Sequence, residues 1–161
     1  MTELDFLNKL KKEGKLELVD PSQEISKAYL IKSDNCIRSS KYLFEKNIYE
    51  NAVAEAYFGI YNSLLSLLFK CGIKSETHAG SIILLRRIFG LDAIAKIVFD
   101  AKKERIDNQY YVTDNINTAI SRDYCKRFIS SAEKIVLELR SYAARLTEEK
   151  INVLRNRFKR I

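Results

Sequence analysis

The chain has 161 residues, a length that favours one domain, and 47% of them are hydrophobic, which is enough to build a core. One proline and five glycines argue against a turn-rich β protein and favour long helices. The net charge of +7 is compatible with nucleic acid, a nucleotide or an acidic partner surface. It is equally compatible with a Lys-rich protein that has no such partner, because charge alone does not identify one.

Cysteine usage excludes a structural zinc site. Cys36, Cys71 and Cys125 lie far apart without metal-ligand spacing, and His78 is the only histidine, whereas such a site needs about four ligands. Buried reduced thiols in a cytoplasmic protein are predicted instead. The acidic N-terminus lacks the pattern of a signal peptide, and no apolar run approaches the ~20 residues that a membrane span needs.

The first half of the chain reads as three helices. A short amphipathic helix is predicted over about residues 2–15, followed by a charged connector. Asp20 is predicted to cap the second helix and Pro21 to occupy its first position, with the helix running to about residue 45. The next helix is predicted over Tyr49 to Cys71, ending at Gly72. Its second half is apolar nearly all round, so we expect it to be the most buried helix.

The second half continues the helical pattern. Thr77 is predicted to cap a short helix that ends at Gly90, and another helix is predicted over about residues 92–108. The pair Thr113–Asp114 is then predicted to cap a long helix whose apolar stripe reaches Leu146. Thr147 either begins a separate basic helix or lies within a continuing one, and the pattern does not decide between them.

These elements predict an all-α protein without strands: an antiparallel up-and-down bundle of four to five core helices with short N- and C-terminal helical extensions. Residues 1–20 are assigned to the N-terminal helix and connector, residues 21–146 to the bundle, and residues 147–161 to a basic amphipathic C-terminal helix.

A polar cluster at residues 103–111 is the first candidate site. Arg105 precedes Asn108, Tyr110 and Tyr111, and a planar guanidinium can bind phosphate while phenols donate, accept or stack. The alternative is an arginine at a helix C-terminus with tyrosines packed in a loop. Spacing alone favours this alternative.

Three further motifs have both a structural and a functional interpretation. His78 follows the predicted cap Thr77 and is interpreted as structural, because spacing assigns it no nucleophile or carboxylate. The aromatic run from Tyr57 to Tyr61 is interpreted as core rather than as a base-stacking pocket, with Gly59 allowing close helix approach. The basic stretch from Lys150 to Ile161 is interpreted as a helix packed on its own bundle, although it could also bind RNA, an anionic surface or a partner helix.

The order of these features resembles the HEPN domain, the nucleotide-binding helical domain of higher eukaryotes and prokaryotes, in its prokaryotic stand-alone form. The resemblance rests on the run AVAEAYFGIY ending at Tyr61, the Thr77–His78 step between glycines, the segment RIDNQYY from Arg105, and a long amphipathic helix. It covers about residues 22–142.

The resemblance implies a helical bundle that forms a homodimer and is paired with a minimal nucleotidyltransferase in a toxin–antitoxin arrangement. Active family toxins are metal-independent RNases with an arginine followed four to six residues later by a histidine. Arg105 matches the arginine, but Tyr110 and Tyr111 occupy the histidine window. Related non-RNase members have an Arg…Asp-Tyr pattern, in which Tyr110 matches the tyrosine and Gln109 replaces the aspartate.

The sequence therefore predicts binding of a nucleotide or RNA by Arg105, Asn108, Tyr110 and Tyr111, without a cofactor or metal. A phenol with a pKa near 10 is a poor general base at neutral pH, so catalysis is left open but disfavoured. One alternative is a metal-independent RNase toxin that uses Arg105 and Tyr110. Another is a non-catalytic protein-interaction module that binds through its basic C-terminal helix.

Overall fold

A computed structural model of the protein describes residues 1–110 and 120–161, and only the backbone of residues 108–110. The helices are α1 (Glu3–Lys12), α2 (Gln23–Glu45), α3 (Tyr49–Lys70), α4 (His78–Arg87), α5 (Asp92–Tyr110), α6 (Arg122–Ala144) and α7 (Glu148–Lys159), and the strands are β1 (Leu16–Leu18) and β2 (Ile73–Ser75). The predicted all-α helical bundle is confirmed.

Helix α3 is the centre of the core, as its apolar pattern predicts. It packs against α2, α5 and α6, and most of its residues are buried. The expectation that no apolar run is long enough to span a bilayer does not hold for this helix, which passes that test by length and composition. However, 78% of its apolar window is buried inside the bundle, as in the core helix of a globular protein.

Helices α2 and α3 are joined by a row of buried serines at seven-residue spacing. The Ser26 and Ser66 hydroxyls lie 2.9 Å apart, Ser33 Oγ donates to the Gly59 carbonyl at 2.7 Å, and Ser40 Oγ donates to the Ala52 carbonyl at 2.6 Å. The residue numbers of these serines rise along α2 while those of their partners fall along α3, so the two helices are antiparallel. Serines are small, which lets the backbones approach closely while every hydroxyl of the row finds a partner.

Gly59 serves the same close approach, as the sequence predicts. A Cβ at this position would lie 2.6 Å from Cδ1 of Ile37 on α2. The absence of a side chain at Gly59 therefore sets the distance between α2 and α3.

Contacts at the ends of α6 give its direction. Cys125 Sγ near its start contacts the Tyr49 carbonyl at 3.7 Å, whereas Lys70 Nζ donates to the Ala143 carbonyl near its end at 2.5 Å. Helix α6 is thus parallel to α3 and antiparallel to α2.

The predicted start of α2 is wrong, and α6 begins later than its apolar pattern predicts. Ser22, not Asp20, caps α2: its backbone is extended and its hydroxyl accepts from Ile25 N at 3.1 Å, so Pro21 precedes the helix. Helix α6 starts at Arg122 with Ser121 as its cap, and Ile120 lies outside it. In both places a serine hydroxyl accepts from the backbone amide three residues on, which is the bond of an N-cap. The predicted cap at 113–114 lies outside the described residues.

Other boundaries agree with the pattern. The Thr77 hydroxyl accepts from Gly80 N at 3.1 Å, and Gly72 and Gly90 both have positive φ at their turns. Helix α4 ends at Arg87, slightly before the end that is predicted at Gly90. Thr147 caps α7 through Lys150 N, so the C-terminal helix is separate from α6, which decides the question that the sequence left open.

A two-stranded antiparallel pair corrects the expectation of a strand-free chain. Leu16 pairs with Ser75 and Leu18 pairs with Ile73, while Glu17 and Lys74 form an ion pair at 3.0 Å. Three residues per strand are too few for an alternating pattern to be recognised in a sequence. The pair holds the N-terminal segment against the connection between α3 and α4.

Candidate functional site

Arg105 lies on α5 with its guanidinium over two rings of the central helix. Its Cζ is 5.2 Å from the ring centre of Tyr57 and 5.1 Å from that of Phe58. The side chain is half-buried, and its Nε is buried without a hydrogen-bond partner. Within residues 1–110 and 120–161, no carboxylate forms an ion pair with Arg105. Its positive charge is therefore not neutralised by the described chain.

The two acids that flank Arg105 in sequence do not neutralise it. The Glu104 carboxylate accepts a hydrogen bond from the Tyr124 hydroxyl on α6 at 2.5 Å. Asp107 is exposed. Because residues one and two positions apart point to different sides of a helix, Arg105 faces α3 while these acids point elsewhere. Contact with α3 also shows that Arg105 does not act as a cap for the end of its own helix.

His78, the first residue of α4, lies in the same cluster. Its ring stacks on that of Tyr61 with centroids 3.7 Å apart and planes 9° apart. Its Nδ1 is 2.7 Å from the Tyr57 hydroxyl. Three helices therefore meet here: α3 supplies the tyrosines, α4 the imidazole and α5 the guanidinium.

The electrostatics of this cluster keep the imidazole neutral. Burial, followed by the positive charges of Arg105 and Lys102, lowers the pKa of His78 from 6.5 to about 4. Burial likewise raises the pKa of both Tyr57 and Tyr61 above the ordinary value of 10, so their phenols are protonated at neutral pH. The only charge on the three stacked side chains and the guanidinium is that of Arg105.

The aromatic run of α3 belongs to the core, as the sequence predicts, and also forms part of the candidate site. Tyr57, Ile60 and Tyr61 are buried. However, Tyr57 also contacts both Arg105 and His78, so this part of the core forms the floor of the candidate site. Their i, i+4 spacing places the two tyrosines on one face of α3.

The remaining predicted site residues are not placed by the structure. Asn108 and Tyr110 belong to α5 by their backbone, but their side chains lie outside the description, as does Tyr111 altogether. Their role with Arg105 stays a prediction. His78 is the residue that sequence reasoning did not assign to the site. Its neighbour Thr77 marks a helix start, but nothing local indicates that this start meets α5.

Comparison with known proteins agrees with this architecture. The sequence pattern of the HEPN domain matches residues 7–142. The chain belongs to the HEPN domain family. A protein of Methanocaldococcus jannaschii named "Putative toxin MJ0605" is 30% identical over 129 residues, which cover 79% of this chain and 89% of that protein.

The HEPN match ends before α7, and this helix packs on the bundle. Ile151, Leu154 and Phe158 form its buried face. Arg155 Nη1 lies within hydrogen-bond distance of three carbonyl oxygens, those of Val19 at 2.8 Å, Cys71 at 3.0 Å and Gly72 at 2.9 Å. The packed arrangement that the sequence favours for the basic helix is thus observed.

Three cations, Arg145, Lys150 and Arg157, line a separate cleft. It lies between the end of α6 and α7 and has a volume of about 500 Å³. Its lining comprises Tyr142, Arg145, Leu146, Lys150, Val153, Leu154 and Arg157. Arg157 also donates to the Ile88 carbonyl at 3.1 Å, whereas Lys150 is exposed.

The cysteines of this HEPN domain are free thiols. Cys71 and Cys125 are buried and Cys36 is partly buried. Burial raises the pKa of Cys71 to about 12 and that of Cys36 to about 11, so both are protonated and poorly nucleophilic near neutral pH. Among the residues with described side chains, no group of three or more His, Cys, Asp or Glu could hold a metal ion.

Proposed function

We propose that this HEPN-domain protein binds the phosphate groups of RNA or of a nucleotide at Arg105. The observation that carries the proposal is the half-buried guanidinium, which lies over aromatic rings without a carboxylate partner in the described chain. An arginine without a carboxylate partner gains more free energy from binding an anion than an arginine that already forms a salt bridge.

The aromatic contacts favour this use of Arg105. Rings beneath the guanidinium hold its plane by cation–π attraction, and its outer N–H groups stay available to bind oxygen atoms of a phosphate. The net charge of +7 adds a long-range attraction for polyanions, which weakens as salt increases.

We further propose that the protein acts as a homodimer and is the partner of a minimal nucleotidyltransferase in a toxin–antitoxin type system. Support comes from membership of the HEPN family and from the relative whose printed name describes a toxin. Co-expression with a nucleotidyltransferase encoded beside this gene, followed by co-purification, tests the pairing. Recovery of the two proteins in separate fractions would count against it.

The binding proposal is tested by measuring the affinity of a short RNA oligonucleotide and of a nucleoside monophosphate at fixed low salt. Loss of a charge-assisted contact costs about 1.5–3 kcal/mol, so Arg105→Ala should weaken binding roughly 10- to 100-fold. Arg105→Lys should recover only part of this loss because an ammonium lacks the planar fork.

Lys103→Ala is the matched control for charge. Lys103 lies on the same helix, is exposed and carries the same charge, so its removal changes the net charge equally without touching the cluster. We expect it to change affinity less than about threefold, in line with one surface charge. Equal effects of the two alanine variants would refute a specific role for Arg105.

RNA cleavage is the second candidate, favoured by the toxin name of the relative and by an imidazole close to Arg105. Purified protein incubated with RNA and a chelator should leave the RNA intact if binding is the activity. Cleavage that survives chelator and is lost in both Arg105→Ala and Tyr110→Phe would instead establish the RNase that uses Arg105 and Tyr110.

A further inference from the structure

We propose that His78 is a second anion-binding residue of this site, presenting its Nε2–H as a neutral hydrogen-bond donor to the phosphate that Arg105 binds. The inference rests on the proposed phosphate binding and adds to it a named partner, a bonding atom and a tautomer. It follows from the contacts of the two sides of the imidazole ring.

The Tyr57 hydroxyl determines which ring nitrogen carries the proton. Tyr57 is fully buried, and among the described residues the acceptor within reach of its hydroxyl is His78 Nδ1, at 2.7 Å. A buried hydroxyl that fails to donate a hydrogen bond is destabilising. Tyr57 therefore donates to Nδ1. In a neutral imidazole the proton then lies on Nε2, which becomes a donor.

The groups around the ring favour the neutral imidazole. Tyr57 and Tyr61 face it from α3 as protonated phenols, and Lys102 and Arg105 add positive charge from α5. Among the described residues no carboxylate faces it. The described groups that could favour an imidazolium are uncharged: the rings of Tyr57, Phe58 and Tyr61 and the Tyr57 oxygen. Burial and the two like charges outweigh them.

The free side of the ring is suited to a ligand. His78 is only half-buried, and its Nε2 makes no hydrogen bond within the described part of the chain. Stacking on Tyr61 fixes the orientation of the ring plane. An anion held by Arg105 would thus find a second, preoriented donor that brings no additional charge.

The tautomer also separates binding from cleavage. A base that removes the proton from a ribose 2′-hydroxyl needs a lone pair, and an Nε2 that already carries a proton lacks one. With Tyr57 donating to Nδ1, His78 can assist phosphate binding but cannot begin transesterification as the base. The reverse tautomer, with Nδ1–H donating to the Tyr57 oxygen, would free the Nε2 lone pair for that step.

The chain has one histidine, so its imidazole can be followed without assignment ambiguity. Long-range ¹H–¹⁵N NMR spectra of ¹⁵N-labelled full-length protein distinguish the two neutral tautomers and the imidazolium. We expect the Nε2–H tautomer at pH 7 and a shift of the Nε2 resonance when inorganic phosphate or an RNA oligonucleotide is added. In Arg105→Ala the tautomer should persist, but the ligand-induced shift should be lost.

Affinity provides an independent measurement. Tyr57→Phe is the reference, because it removes the hydroxyl that His78→Phe alone would leave unpaired. Relative to this reference, the double variant Tyr57→Phe/His78→Phe keeps a ring on Tyr61 but lacks the donor. Its phosphate affinity should be about 3- to 10-fold lower, as for one neutral hydrogen bond.

The outcomes separate this inference from the proposed function. Arg105-dependent phosphate binding that leaves the Nε2 resonance unmoved would refute the role of His78 alone. An Nδ1–H tautomer or an imidazolium at pH 7 would refute it as well. Absence of any Arg105-dependent binding would refute the proposed function, and this inference would fall with it even if the expected tautomer were found.

Discussion

Arg155 offers the most direct test of how the C-terminal helix is held. Its Nη1 lies 2.8–3.0 Å from the carbonyl oxygens of Val19, Cys71 and Gly72, which belong to two separate chain segments. Arg155→Met keeps most of the aliphatic stem and removes these donors. We expect the bundle to lose stability, because α7 would then be held mainly by its three buried apolar side chains.

The size of the loss follows from the donor count. Nη1 has two hydrogens for three acceptors, so one hydrogen serves a single carbonyl and the other is shared between two, and each bond from a charged group contributes about 1.5–3 kcal/mol. The Gly72 carbonyl also accepts from Val19 N at 2.9 Å and is not left unpaired. We therefore expect a loss of roughly 2–4 kcal/mol, or about 5–12 °C in the unfolding midpoint of a chain of this length.

Urea unfolding followed by circular dichroism measures this loss, with Arg160→Met as the control. Arg160 is the exposed C-cap residue of the same helix, and its replacement should change stability by less than about 0.5 kcal/mol. If the two variants were equally stable, the carbonyl contacts of Arg155 would contribute nothing and the argument would fail. If the unfolding free energy of Arg155→Met falls less steeply with urea concentration than that of the wild type, α7 is already detached in the folded state.

Three further outcomes are expected. Gly72→Ala should unfold at clearly lower urea, because φ there is +67° and an added Cβ would collide with the Arg155 guanidinium and the Val19 carbonyl. The pKa of His78 is about 4 when folded and near 6.5 when unfolded, so its contribution to stability is complete above pH 6.5 and is lost as pH falls towards 4. Discounted for half-exposure, this contribution is roughly 1–2 kcal/mol. The difference in unfolding free energy between wild type and His78→Asn should therefore shrink over that range, and a constant difference would contradict the shift. With a thiol reagent at pH 7.5, Cys36 should react first but slowly, because it is the least buried cysteine and its pKa is raised to about 11; rapid labelling of native protein would contradict its protonated state.

The packing of α7 also changes how the interaction-module alternative is best tested. Deleting residues 150–161 would uncover the surface beneath Ile151, Leu154 and Phe158, so a loss of binding could reflect damage to the bundle. Charge variants at the exposed Lys150, Lys159 and Arg160 avoid this problem. Unchanged partner affinity in the triple alanine variant would argue against binding through this helix.

Local signals made much of the helical layout predictable. The Thr77 cap, the glycine turns at Gly72 and Gly90, and the apolar pattern of α3 each act within a few residues, so they can be recognised in sequence and are found in the structure. Competing local signals caused errors, as where Ser22 rather than Asp20 caps α2. The serine row of α2 was missed because serine resembles a surface residue until its partner helix is present.

The sequence by itself determined that this chain is a helical HEPN-type bundle and placed Arg105 at the motif position, because periodicity, caps and motif order are properties of the chain alone. Only the tertiary structure decided what surrounds that arginine. His78 and Arg105 come from different helices and meet because α4 and α5 both pack beside Tyr57 of α3. Helix packing thus leaves the guanidinium without a carboxylate in the described chain and keeps the imidazole neutral, and neither property can be read from spacing.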